Sequence, residues 1–318
     1  MKRLSIMIPH FNTPHLLMVL LQSIPNDPDV EILVCDDLST KELEKYEALK
    51  DQFPHVKFYS NTTGNKGAGA ARNLLMEHAC GDFVLYADSD DYYEKDFLTK
   101  IRPYFESDID LIFFKSRSVY INTEVDGHRA DTYNGLVDKF YKQKDRVSED
   151  RCRFEIPVVW AKLIRRSIII DHELKFELIF GSEDVMFSLN IGLYAKKVIA
   201  DENTIYVVTR NPGSLSTIKS RGTYDTQFDI LLQRSAFLKA NLSQERFSSI
   251  RFPSFYFILT ALKRHYPLKD VATNIKRMHQ QGLRILPQGF YRPSVIIRNI
   301  RTRLNERKTT KQIQRKAR

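Results

Sequence analysis

Apolar residues gather along this chain in short runs separated by mixed, periodic stretches. Leu4-Ser5-Ile6-Met7-Ile8 reads as a first strand closed by Pro9-His10-Phe11-Asn12, and Thr13-Pro14 then opens an apolar-periodic helix to Ile24. Glu31 to Cys35 forms a second strand ending on Asp36-Asp37 and Leu38-Ser39-Thr40. A charged helix to about Gln52 and a third strand, Val56 to Tyr59, follow. Asn61, Gly64, Gly67 and Gly69 precede a helix around Ala70 to Met76, which runs into a fourth strand at Asp82-Phe83-Val84-Leu85-Tyr86. Short apolar strands alternating with helices predict an α/β fold, with a mostly parallel, Rossmann-like sheet covered by helices on both faces.

Two of these strands end in carboxylates. The fourth empties into Asp88-Ser89-Asp90-Asp91, and the second into Asp36-Asp37, so both acidic clusters fall on one carboxyl edge, where open α/β sheets bind ligands. Crowded carboxylates repel unless a cation gathers them. Mg²⁺ or Mn²⁺ does so while leaving coordination positions for phosphate and water. The plainer alternative makes Asp90 or Asp91 the N-cap of a helix beginning at Tyr92-Tyr93-Glu94. A third acidic pair, Glu183-Asp184, heads an apolar stretch from Val185 to Ile191 that reads as helical, with Ser182 as a candidate N-cap.

The order of these elements resembles the family 2 glycosyltransferases of GT-A fold. The resemblance rests on Ile8-Pro9-His10-Phe11-Asn12, Asp36-Asp37 with Ser39, Asn61 through Gly64 to Ala71-Arg72-Asn73, Gly81-Asp82 and Asp88-Ser89-Asp90-Asp91. It continues through Trp160-Ala161-Lys162-Leu163-Ile164-Arg165-Arg166, Gly181-Ser182-Glu183-Asp184-Val185-Met186-Phe187 and Arg210-Asn211-Pro212-Gly213-Ser214-Leu215-Ser216, covering residues 3 to about 220. Two positions depart from the family pattern: Leu38 stands where a Gly is common, and Phe11 where a Tyr is frequent.

The resemblance implies a role for each of several residues. Asp37 would accept the N3–H of a uracil ring lined by Pro9 and Phe11, while Asp36 would be structural. Glycines at 64, 67 and 69 let the backbone pass close to a ligand, and Arg72 would reach a diphosphate with its fork of donors. Asp88 would lie near the ribose and share a metal with Asp90. Asp184 would be the base of an inverting transfer, with Glu183 orienting it or binding the acceptor. The implied reaction moves a sugar from a nucleotide diphosphate, UDP in the first instance, to a hydroxyl of a cell-surface glycan or lipid-linked acceptor.

Composition bounds the picture. The 318 residues, 42% apolar, suffice for one large domain and an appendage. We expect a GT-A catalytic domain over 1–222, made of a nucleotide-sugar half (1–110) and an acceptor half (111–222), then a helical region (223–290) and a basic amphipathic tail (291–318). The helical region could pack on the catalytic domain, pair with a second copy or hold a lipid-linked acceptor. The tail carries ten basic residues against Glu306, so +9 of the formal +10 lies there. Such a segment fits an anionic membrane surface; without interleaved aromatics it does not fit nucleic acid. No run approaches a membrane helix, the start runs directly into strand one, and Cys35, Cys80 and Cys152 are isolated. We therefore expect a cytoplasmic, peripheral protein without disulfides or zinc. A nucleotidyltransferase would also use strand-end aspartates and Mg²⁺, but would carry a Gly-rich loop where Pro9-His10-Phe11-Asn12 stands. A non-catalytic scaffold with the same fold would have no need of Asp88, Asp90 and the Glu183-Asp184 pair.

Overall fold

The computed structural model describes residues 2–121, 123–210 and 220–286. The tail at 291–318 and the Asn211–Ser216 segment of the last motif lie outside the described residues. The first half alternates strand and helix: β1 (Leu4–His10), α1 (Pro14–Ser23), β2 (Val30–Asp36), α2 (Leu43–Gln52), β3 (Val56–Ser60), α3 (Ala68–His78) and β4 (Phe83–Tyr86). β1 and β4 are buried at every position and β2 at all but its last. That is why they read as unbroken apolar runs instead of alternating ones. α1 starts at Pro14, whose missing N–H costs nothing in a first turn, although the Thr13 side chain makes no capping bond.

The second half is β5 (Tyr92–Tyr93), α4 (Phe97–Ile101), β6 (Leu111–Tyr120), α5 (Asp131–Gln143), α6 (Arg146–Glu155), β7 (Lys162–Arg165), α7 (Arg166–Asp171), α8 (Asp184–Tyr194) and β8 (Val198–Arg210). One eight-stranded sheet results, in the order β3-β2-β1-β4-β7-β6-β8-β5. β1 pairs in parallel with β2 and β4, and β2 with β3. β7 runs antiparallel to both β4 and β6, and β5 antiparallel to β8. The chain winds outward from β1 through β2 to β3, then crosses back to place β4 on the other side of β1. The loops after β1 and β4 therefore diverge and open a crevice at the carboxyl edge, the topological position at which such sheets bind ligands.

Among the described residues four helices follow: α9 (Arg221–Asn241), α10 (Gln244–Ser249), α11 (Ser254–Lys263) and α12 (Leu268–Gln280). The chain divides into two compact units: one of Met1–Ile230 with Phe237–Ile250, the other of Leu231–Ala236 with the residues from Arg251 onward. In the first, α10 is tied by Arg246, whose guanidinium makes two 2.8 Å bonds to the buried Asp150 of α6. In the second, Phe257, Val271 and the fully buried Met278 form the apolar centre of the α11–α12 pair. Among the described residues no helix is long and apolar enough to cross a membrane.

Candidate active site

The ends of β1 and β2 are locked together by hydrogen bonds. Asp36 bonds to His10 Nδ1 (2.9 Å) and accepts from Ser39 Oγ (2.5 Å) and Ser39 N (3.0 Å). Burial pushes its carboxyl up, yet the bonds from His10 and Ser39 outweigh that and hold it below its ordinary value. Asp37 accepts from Asn61 Nδ2 (2.6 Å) and Gly67 N (2.8 Å) and is nearly buried, so it pins the glycine-bearing loop to the end of β2. Gly67, and not Gly64, is therefore the glycine that meets Asp37; Gly64 sits on an exposed turn. Pro9 is buried within β1, while Phe11 is partly exposed with the Lys66 ammonium 4.2 Å from its ring centre.

Leu38 holds a left-handed conformation with φ at 61°, the geometry that a glycine would adopt without strain. The surroundings force it. Asn12 accepts from the amides of Thr40 (2.7 Å) and Lys41 (2.9 Å), and Asn12 N donates to Ser39 Oγ (2.8 Å), so the turn is fixed on both sides of Leu38. The departure from the family pattern changes the side chain at this turn and keeps a glycine-type backbone.

After β4, the three acids take different positions. Asp91 is buried and accepts from Tyr206 Oη (2.9 Å) and Thr209 N (2.7 Å), both on β8; Tyr206 Oη also accepts from Asp88 N (2.9 Å). Asp91 thus moors the acidic turn to β8. Neither it nor Asp90 caps a helix, because Tyr92–Tyr93 is β5, drawn out by pairing with Val207 and Tyr206. Burial, and then repulsion by Asp88, push the Asp90 carboxyl up to about 6, with Arg129 pulling the other way. Asp88 keeps partial exposure and lies 2.7 Å from Arg72.

Arg72 joins the acids after β4 to the second acidic pair. Its guanidinium, nearly buried in α3, donates from Nη2 to Asp88 and from Nη1 to Glu183 at 2.9 Å, and stacks over Phe176. Burial works against that charge, but Asp88, Glu183 and Asp184 together hold its pKa above the ordinary value. Two donors of the fork are taken by carboxylates, so any diphosphate contact has to share this guanidinium. Glu183 and Asp184 stand at the start of α8; Ser182 does not cap it by its side chain, having φ at 70° and contributing only its carbonyl to Val185 N (3.2 Å). Burial first, then Glu183, push the Asp184 carboxyl up to about 7, with Arg72 and Lys162 opposing and Asp88 adding to the rise. That is a carboxyl poised between its charged and neutral forms near neutrality, as a general base requires.

The segment leading to Glu183 is fastened to α3. Asn73 donates to Phe176 O (2.9 Å) and accepts from Phe176 N (2.8 Å). At Gly69 an added Cβ would lie 2.4 Å from Glu177 O and 3.3 Å from Glu183, so only glycine lets the two segments approach this closely. We expect Gly69→Ala to cost about 1–3 kcal/mol of stability through overpacking and to lower turnover by displacing Glu183. Urea unfolding read beside a transfer assay checks this, and a variant with wild-type stability would show that the approach is slack.

Sequence reasoning did not single out Tyr206, Thr209, Asn73 or Lys162 for the site. Tyr206 and Thr209 carry no local signal, whereas Lys162 stands in a motif that carries the resemblance and opens the short strand β7, where its charge precedes Leu163 and Ile164. The described residues hold one other group with the ligand types for a metal: Asp126 and His128 in the loop after β6, with Asp131 at the start of α5. There His128 bonds both acids and its own turn, with no other group drawn in.

The mixed sheet, with its acids gathered at the carboxyl edge, has the architecture of glycosyltransferases of GT-A type. The chain belongs to glycosyl transferase family 2, whose model matches residues 5–172; Glu183 and Asp184 lie past the matched segment. It is 26% identical over 259 residues to the poly(ribitol-phosphate) beta-glucosyltransferase of Bacillus spizizenii, a match covering 77% of this chain but 38% of that one. The chain thus spans well under half of that relative's length. Among solved structures it is similar to TarS 1–349 of S. aureus in complex with UDP-GlcNAc, with TM-score 0.61 and 20% identity over 77% of this chain and 69% of that one. It also resembles the mannosyltransferase PcManGT of Pyrobaculum calidifontis in complex with GDP-Man and Mn2+, with TM-score 0.55 and 16% identity over 97% and 83% of the two chains. At such identities the structural likeness is one of fold.

Proposed function

We propose that this enzyme is a metal-dependent, inverting glycosyltransferase that moves a sugar from a UDP-sugar to a hydroxyl of a cell-surface glycan. The observation that carries the reading is the Arg72 bridge, which sets a half-buried base, Asp184, beside the acids that end β4. Asp184 takes the proton of the acceptor hydroxyl while the hydroxyl oxygen attacks the anomeric carbon from the face opposite the diphosphate. The bond from that carbon to the diphosphate oxygen breaks, and the oxygen keeps the electron pair. Glu183, held by Arg72, orients the acceptor. Asp37, through the lone pairs left by Asn61 and Gly67, accepts from the base, with Phe11 against the ring.

Asp88 and Asp90 suit a divalent cation shared with phosphate: two carboxylates whose mutual repulsion lacks a neutralising ion pair on Asp90 among the described residues. When bound, Mg²⁺ or Mn²⁺ supplies Lewis-acid stabilisation of the departing diphosphate. The UDP-GlcNAc of TarS and the GDP-Man with Mn2+ of PcManGT support a nucleotide-sugar donor and a cation. The polymer in the name of the Bacillus spizizenii relative supports a cell-surface acceptor. The +9 carried by residues 291–318 supports a place at an anionic membrane surface.

Thermal unfolding against UDP-, GDP- and other nucleotide sugars, with and without Mn²⁺, tests the donor. A UDP-sugar should protect only when Mn²⁺ is present. Asp90→Ala should keep the fold and lose at least about tenfold of Mn²⁺-dependent UDP affinity by calorimetry, an interaction of about 1.4 kcal/mol or more. Unchanged affinity would make the acidic turn a purely structural feature moored on β8.

A further inference from the structure

Lys162 is a buried cation that the steps above leave without a task. It lies in β7 with 2% of its surface exposed, and its Nζ donates to Ile156 O at 2.9 Å and Ser188 Oγ at 3.3 Å. Ser188 Oγ in turn donates to Pro157 O at 2.5 Å, so its lone pairs face the ammonium. The Phe113 ring of β6 closes another side, 5.4 Å away. Lys162 makes no ion pair among the described residues. An ammonium removed from water without a counter-charge loses several kcal/mol, and proteins commonly keep one only where its charge is used.

The charge that answers it is Asp184. Ser188 lies four residues after Asp184 on α8, so the two share a face of the helix, and Lys162 anchors beneath that face. The groups that act on Lys162 are Asp184 from α8 and Cys152 from α6, whose thiol burial pushes up to about 12 and so keeps neutral. Burial brings Lys162 down to about 7 while Asp184 pulls it back. The groups that act on Asp184 come from four elements: Glu183 beside it and Asp88 after β4 raise it, while Arg72 of α3 and Lys162 of β7 lower it. Arg72 is already shared between Asp88 and Glu183. Lys162 is the cation with no carboxylate of its own.

We propose that Lys162 is a positioning residue for the transfer, an inner counter-charge anchored on Ile156 and Ser188 that keeps the Asp184 carboxylate ionised and ready to accept the acceptor's proton. The inference rests on reading Asp184 as the base. It explains why a strand of the core carries a buried lysine, and why Ser188 stands one turn after the base.

Selective labelling of aspartate carboxyl carbons allows the Asp184 resonance to be assigned by its loss in Asp184→Asn, and its titration to be followed without any substrate. In Lys162→Met the Asp184 midpoint should rise by about one pH unit, since one of two opposing cations is gone. The acid limb of kcat/KM, measured with whichever nucleotide sugar protects the enzyme, should rise with it, while donor affinity stays unchanged. If Lys162→Met does not fold, Ser188→Ala, which removes one of the two acceptors of the ammonium, should move the midpoint the same way by a smaller amount. An unmoved or lowered midpoint in the folded variant overturns the inference. Full turnover by Asp184→Asn would instead sink the base assignment, so the two failures are separable.

Discussion

Asp184→Asn should bind the donor as the wild type does and transfer sugar at least about a hundredfold more slowly, the low end of what a general base contributes. Asparagine keeps the shape of the side chain at the start of α8 and loses only the capacity to take a proton. Because burial and Glu183 raise the Asp184 carboxyl to about 7, wild-type transfer should also fall as the pH drops below that value and the base takes up a proton from solvent. Glu183→Gln should be milder, since Glu183 acts through its bond to Arg72. Calorimetry for donor affinity, with initial rates across pH 5 to 9, separates the two effects. Transfer by the Asn variant at near wild-type rate would place the base elsewhere.

Arg72→Met should destabilise the protein by about 3 kcal/mol, because removing one partner of a buried ionic cluster strands the others. Glu183 would lose its only ion pair among the described residues, and Asp88 would face Asp90 without its cation. Methionine keeps much of the apolar bulk against Phe176, so lost packing contributes little. Urea unfolding followed by circular dichroism measures the loss. A shift below about 1 kcal/mol would mean that Asp88 and Glu183 relax to solvent and the bridge is a surface pair. Lower pH should shrink the penalty, as the carboxylates stranded in the variant become protonated.

The strands of the first half were legible because each is buried on both faces, which leaves an uninterrupted apolar run. The acids after β2 and β4 followed directly, since parallel strands must end on the same edge. β5 was not legible: two tyrosines make a strand only because β8 offers Val207 and Tyr206 as partners, and the one local reading of these residues was the plainer alternative that began a helix there. Ser182 looked like a cap by residue type, yet its positive φ turns it to other use. Arg72 could be picked out as a cation beside the site, but its partners could not, because Glu183 lies 111 residues further along. Leu38 showed the reverse case, in which a residue that departs from the pattern adopts the backbone geometry of the residue it replaces.

The Arg72 bridge also sets an order on how the enzyme comes into being. Its contact to Asp88 spans 16 residues and its contact to Glu183 spans 111, so the first can close as soon as β4 is laid beside β1, while the second waits for most of the domain. Closing the longer loop brings its entropic penalty forward before any new contact offsets it, which makes docking of α8 a late event in folding. A nascent chain that has left the ribosome only as far as β4 would already display the acidic turn, but with Asp91 lacking its β8 mooring and no base in reach. With Asp184 as the base, catalytic competence would be withheld until β8 and α8 have settled.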